Sequence, residues 1–200
     1  MTSRSTGFTL PVKPLSLQLL LLLVVGAASG AVVPLRVSNL VVTNSDNTLL
    51  VNLVLLGAMP EGIVEGLGTG IPAGVRFQLE LWQYNSWWVD RRVVAKLVER
   101  QVVYDVLTKE FRVAALQGEE REPYVTRDVW EAERVLSELR SFKLTQMTHL
   151  NLDELYYVRV RAEVRSGAPD ASVSRILPFV SSRAETPWEQ TPLLTLRRAR

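Results

Sequence analysis

A strict alternation of apolar and polar side chains over residues 155–165 constrains this chain more than any other feature. Tyr156, Val158, Val160, Ala162 and Val164 fall on one side of it, and Tyr157, Arg159, Arg161, Glu163 and Arg165 on the other. Successive side chains of an extended strand point to opposite faces, so the pattern predicts a half-buried strand of an antiparallel sheet. Val75, Phe77, Leu79 and Leu81 alternate with Arg76, Gln78, Glu80 and Trp82 in the same way. Val102, Tyr104 and Val106 stand opposite Gln101, Val103 and Asp105. Residues 35–42 and 49–56 are rich in Val and Leu and flank the turn formers Thr43-Asn44-Ser45-Asp46-Asn47-Thr48, which predicts a hairpin. Residues 109–116 form a further expected strand, with Phe111, Val113 and Ala115 inward.

One stretch changes period. Val129, Ala132, Val135, Leu136, Leu139 and Phe142 recur at helical steps, and Asp128 followed by Glu131 resembles a capping box, so a helix is expected over about 128–141. A second, shorter helix is expected over 60–67, with Pro60 near its start and Gly66, Gly68 and Gly70 ending it. After Ser166 the chain is poorly patterned and interrupted by prolines. Residues 182–200, basic at Arg197, Arg198 and Arg200, are expected to be a loosely held tail.

The first 31 residues differ from the rest. Arg4 and Lys13 precede an apolar run over 15–25, broken only by Ser16 and Gln18, and the small residues Gly26-Ala27-Ala28-Ser29-Gly30-Ala31 follow. That order predicts a secretory signal peptide cleaved after Ala28 or Ala31. The competing reading is an uncleaved anchor that contacts the membrane through residues 15–33, because no charge occurs between Lys13 and Arg36 and about 20 apolar residues span a bilayer. Either way the following domain, residues 32–181, faces the periplasm.

Composition removes several kinds of chemistry. There are no cysteines and one histidine, which excludes disulfide frameworks and cysteine nucleophiles and leaves no His/Cys set for a metal. The formal charge of +2 is accounted for by Arg4 and Lys13, so the domain is neutral and carries no nucleic-acid footprint. Gly68-x-Gly70-x-x-Ala73 superficially fits a dinucleotide loop, but it leads into an alternating strand rather than a helix and reads as a glycine-rich turn. His149 lies in a connection with no nucleophile elbow to accompany it, so no catalytic residue, cofactor or metal ligand is assigned. Glu80, Asp90, Asp105 and Glu163 lie on or beside strands, where solvent exposure accounts for their alternation; paired-carboxylate hydrolysis stays an alternative. The outward face is the stronger candidate. Trp82 and Tyr84 on one strand, Arg159 and Arg161 on another, and Trp88 nearby could form a Trp/Tyr/Arg interaction surface, or cation–π pairs that merely cover the sheet.

Five stretches in order also carry a resemblance: Leu67-Gly68-Thr69-Gly70-Ile71-Pro72; a long strand ending in Trp87-Trp88-Val89-Asp90; Val103-Tyr104-Asp105-Val106-Leu107-Thr108-Lys109-Glu110-Phe111-Arg112-Val113; the helix; and Tyr156-Tyr157-Val158-Arg159-Val160-Arg161. Over about residues 35–180 the chain resembles a bacterial exported family catalogued as a domain of unknown function, DUF4390. The resemblance implies a bacterial envelope location and genomic association with a membrane sensor kinase, and it brings no catalytic residues. The expectation is a mainly β, β-rich α+β protein: an antiparallel β-sandwich-like domain working as a non-enzymatic binding or accessory module with an envelope or membrane protein partner. The alternatives are an envelope-polymer hydrolase and a carrier of a lipid or small apolar ligand between the sheets.

Overall fold

Asp46 and Asn47 both take left-handed backbone, with φ of 49° and 56°, and two such residues in succession make the tight hairpin turn whose twist suits flanking strands. They join β1 (Arg36–Ser45) to β2 (Thr48–Leu56), with Ser45 opposite Thr48. The expected hairpin is therefore present. In β2 the alternation buries Leu49, Val51, Leu53 and Leu55. The short helix α1 (Glu61–Gly68) follows and buries Ile63 and Leu67. Its end is closed by Gly70 N–H donating to the Leu67 carbonyl at 2.8 Å and Ile71 N–H to that of Gly66 at 3.0 Å. The computed structural model describes residues 33–167 and 183–196; the leader over 1–31, with its cleavage sites, lies outside them. No helix among the described residues is long and apolar enough to cross a membrane.

Three hairpin-linked strands come next: β3 (Ala73–Gln83), β4 (Arg91–Asp105) and β5 (Glu110–Gln117), with β6 (Tyr124–Thr126) pairing on the far side of β5. Two expectations change here. β3 stops at Gln83, so Trp87, Trp88 and Val89 sit in the connecting loop rather than at the end of a long strand. β4 begins ten residues earlier than its alternation suggests, and Val106 falls in the turn after it, exposed beside Leu107. Gly118, just past β5, has φ of 82°, and a Cβ there would lie 2.0 Å from the Leu97 carbonyl oxygen, so only glycine lets the chain pass.

The helix α2 (Val129–Ser137) is shorter than the expected 128–141, and β7 (Glu138–Gln146) follows without a linker. The helical spacing of Leu139 and Phe142 has a different origin. Ser141 takes φ of 49° and the β2–β7 register shifts between Val51 and Leu53, so an irregularity in the strand puts two residues three apart on the same buried face. Ser141 N–H donates to Asn52 Oδ1 at 2.8 Å, which fixes the kink. Half of the expected capping box forms: Asp128 Oδ1 accepts from Trp130 N–H at 2.9 Å, whereas Glu131 accepts from Tyr124 Oη and Thr126 Oγ1. The other end of α2 is held by Arg100 of β4, 2% exposed, whose guanidinium donates to the carbonyls of Val135 and Glu138 and, through Nε and Nη2, to both oxygens of Glu119, each at 2.7 Å. A cation at the negative end of a helix satisfies carbonyls that would otherwise lack partners.

After a 3-10 turn at Met147–His149 comes β8 (Leu155–Ser166), whose alternation is borne out: Tyr156, Val158, Val160, Ala162 and Val164 are buried. The segment expected to be loose is not so over 183–196. It runs along the outer edge of β8 as three short strands, β9 (Arg183–Glu185), β10 (Glu189–Gln190) and β11 (Leu194–Thr195). Two Thr-Pro steps make this possible. Thr186 N–H donates to the Ala162 carbonyl while Thr186 Oγ1 accepts from Ala162 N–H, and Thr191 does the same with Val158, at 2.9–3.1 Å. Each hydroxyl stands in for a backbone carbonyl, and each following proline, Pro187 or Pro192, withholds an N–H and breaks the strand. Residues 197–200, the rest of that expected tail, lie outside the described residues.

The result is mainly β, as expected. One antiparallel sheet has the order β1-β2-β7; the other runs β10-β8-β3-β4-β5-β6, with β9 and β11 also on β8, and neither closes into a barrel. Leu53, Leu55, Leu139 and Leu144 of the first sheet share one core with Phe77, Leu79, Val102 and Val160 of the second, and Ala132 and Leu136 of α2 pack into it.

Candidate interaction site

The large sheet leaves its other face, the even-numbered residues of β3 and the odd-numbered ones of β8, outside that core. Register sets what meets there: Glu80 lies opposite Arg159, Gln78 opposite Arg161, Trp82 opposite Tyr157 and Arg76 opposite Glu163. These cross-strand pairs build a polar and aromatic layer.

Glu80 is its hub. The carboxylate is 8% exposed and accepts from Arg159 Nε, Arg92 Nη1 and Trp82 Nε1, each at 2.8 Å. Burial alone pushes its carboxyl up, but the hydrogen bonds from Arg159, Trp82 and Arg92 outweigh that and hold it below the usual carboxylate range. Glu163, also buried, repeats the arrangement: burial raises it, and Arg165, Arg183 and Arg76 bring it down below its ordinary value. The sequence expectation that alternation marks these acids as solvent-exposed is thus corrected. Arginines and the 183–196 segment cover them.

The Arg159 guanidinium lies between two indoles, 4.3 Å from the centre of Trp82 and 4.5 Å from that of Trp188, and Arg161 lies 4.9 Å from Trp188. Arg161 also pairs with Glu185 at 2.6 Å and bonds Gln78. Trp82 and Tyr157 stack with centroids 6.5 Å apart. Three of the expected surface residues, Trp82, Arg159 and Arg161, are therefore brought together, half-buried and bonded to one another's neighbours. Trp188, which completes the layer, comes from the tail, and nothing in the local pattern of that tail pointed to it.

The other two expected residues lie at the end of the same sheet, in the loop over residues 84–90. Tyr84 is 38% exposed and its N–H donates to the Leu155 carbonyl at 2.8 Å. Trp87 and Trp88 are 93% and 80% exposed, with Val89 exposed beside them. The loop is nonetheless held from within. Asn85 Oδ1 accepts from the N–H groups of Trp87 at 3.0 Å and Trp88 at 3.1 Å, and Asn85 N–H donates to Asp90 Oδ1 at 2.9 Å. Asp90 Oδ2 accepts from Tyr157 Oη at 2.8 Å; burial and this carboxylate both push the Tyr157 hydroxyl pKa up. Two large apolar side chains thus stand in water on a loop whose polar groups are used to shape it.

The remaining candidates are dispersed. His149 is exposed at the end of the 3-10 turn, and the Gly68/Gly70 loop joins helix to strand, the reverse of a dinucleotide site. Glu80 and Glu163 are held ionised, which is opposite to what a general acid requires. Among the described residues no group of three His, Asp or Glu side chains is placed to hold a metal.

An open-sided β protein with a self-covered outer face and an aromatic hairpin tip defines the class. The family model described as "Domain of unknown function (DUF4390)" matches residues 34–191. The chain belongs to that family. No curated protein and no solved structure matches it.

Proposed function

We propose that this domain is a non-enzymatic binding or accessory module of the bacterial cell envelope, exported to face the periplasm, and that it engages its partner through the β3–β4 hairpin tip. The observation that carries this reading is the pair Trp87 and Trp88, almost fully exposed on a loop fixed by Asn85 and Asp90. Leaving two adjacent indoles in water forgoes several kcal/mol of burial in total, about 1.5–3 for each large apolar side chain, which a partner recovers. Tryptophan is also enriched among residues that dominate interface energetics. The apolar leader supports the location. The test is site-specific photo-crosslinking in cells from position 88, against position 82 as the control. An adduct from 88 and none from 82 is expected; adducts from 82 alone would move the docking surface to the sheet face and overturn the reading.

A further inference from the structure

We propose that the domain has a second docking site, a cleft along the outer edge of β7 that takes an acidic, extended segment of a partner polypeptide. β7 ends the order β1-β2-β7, so among the described residues no strand pairs with its outer edge. A free strand edge is a row of backbone donors and acceptors on which another strand can be added. Beside it opens a cleft of about 780 Å³, lined by Glu138 and residues 140–143 of β7, residues 118–121 after β5, and Arg134 and Val135 of α2. The cleft is preformed. The buried Arg100 bonds all three of these elements at once, through Glu119 and through the carbonyls of Val135 and Glu138, each at 2.7 Å. Gly118, with no Cβ, lets its chain lie against the Leu97 carbonyl. Walls fixed in this way leave less to be ordered when a partner binds.

The charge of the lining selects the partner. Glu119 is taken up by Arg100, and Glu138 by Arg140 at 2.8 Å, which leaves Glu120 as the unpaired acid of the lining. Against it stand Arg121 and Lys143, which enter no ion pair among the described residues, and Arg134, which reaches Glu131 and Glu138 only at 4.0 Å. Glu122, next along the connection, is exposed outside the lining. In a neutral domain, this local excess of positive charge favours carboxylates. The kink at Ser141 puts Leu139 and Phe142 on the buried face and leaves Arg140 and Lys143 exposed along the strand. Ser141 N–H is spent on Asn52 Oδ1, so the added pairing belongs to the stretch after the kink, where Lys143 stands opposite an acidic side chain of the incoming strand.

The test uses the full chain and a pool of fluorescein-labelled octapeptides with Glu at alternate positions and Val, Ile, Thr or Tyr between them, read by fluorescence anisotropy. Binding is expected, weakened by salt, and weakened about tenfold or more by Arg121→Glu/Lys143→Glu with an unchanged melting temperature. A pool with Lys in place of Glu should not bind. Neither should an acidic pool N-methylated at every residue, which keeps its charge but has no N–H to donate to a strand edge. Trp87→Ala/Trp88→Ala should bind the acidic pool unchanged, because the cleft does not use the tip. No binding, equal binding of the Lys or the N-methylated pool, binding that survives the double reversal, or binding lost in the tip variant overturns the proposal. Displacement of the acidic pool by inorganic phosphate at equal concentration also overturns it, since the cleft would then be a simple anion site.

Discussion

Trp82 and the pair Trp87 and Trp88 lie within seven positions of one another on the same hairpin, each with arginines at hand, yet they sit in opposite circumstances. Trp82 donates its Nε1–H to Glu80, stacks on Tyr157 and lies against the Arg159 guanidinium, which also packs against Trp188. Trp87 and Trp88 have their backbones fixed by Asn85 and their side chains in solvent. The difference teaches that residue type does not mark an interaction surface. The same Trp and Arg chemistry serves as a cover for the sheet where a cross-strand neighbour exists, and is left free where the sheet ends.

That contrast can be broken at several places, from the largest effect down. Val158 is fully buried under the sheet, so Val158→Asp would place an unpaired carboxylate in the core; a loss of about 4 kcal/mol or more, seen as failure to fold, is expected by circular dichroism. Glu80→Ala leaves Arg159, Arg92 and the Trp82 N–H without their shared acceptor, and a loss of about 2 kcal/mol in urea unfolding is expected. Arg159→Ala should cost about 1 kcal/mol, because its side chain is partly solvated but fills the space between two indoles. The pair Trp87→Ala and Trp88→Ala should change stability by less than about 0.5 kcal/mol.

Acid sharpens the same distinction. Glu80 has a folded-state pKa below its ordinary value of 4.5, so the unfolded chain binds the proton more readily. Its contribution to stability is complete above that ordinary value and is lost as pH falls through the lower folded one. Glu80→Gln should therefore flatten the acid limb of a stability–pH profile between about pH 5 and pH 2, whereas substitutions at the tip should leave the limb's shape unchanged.

Much of this molecule is legible in its sequence because alternation reports directly on which face of a strand is buried. β8, β3 and the β1–β2 hairpin follow from it, and the glycine turn after α1 follows from context. The first half of β4 is not legible: it is half-exposed, and its register with β3 shifts between Leu81 and Trp82, which blurs the period. Arg100 shows the same limit in another form. It occupies the core face between Val98 and Val102, a position that alternation assigns to an apolar residue, and it is tolerated there because Glu119 and two carbonyls satisfy it. The strand irregularity at Ser141 imitates a helical repeat. The edge formed by 183–196 depends on threonine hydroxyls replacing carbonyls, which leaves no periodic trace. Trp82, Arg159 and Arg161 were recognisable as one face by parity, but Trp188, the residue that covers them, was not, since it reaches them from a distant part of the chain.

The account's central claim is that the Trp82 layer is scaffold and the Trp87 and Trp88 tip is the docking element. One paired measurement tests it most directly: thermal melts and co-purification of partners from envelope extracts on Trp82→Ala/Trp188→Ala and on Trp87→Ala/Trp88→Ala. The account predicts that the first pair lowers Tm by about 5–10 °C and keeps the partner capture at temperatures where it remains folded. It predicts that the second keeps Tm within about 2 °C and loses the capture. A tip variant that melts early while still docking, beside a layer variant that melts normally and no longer docks, would contradict it.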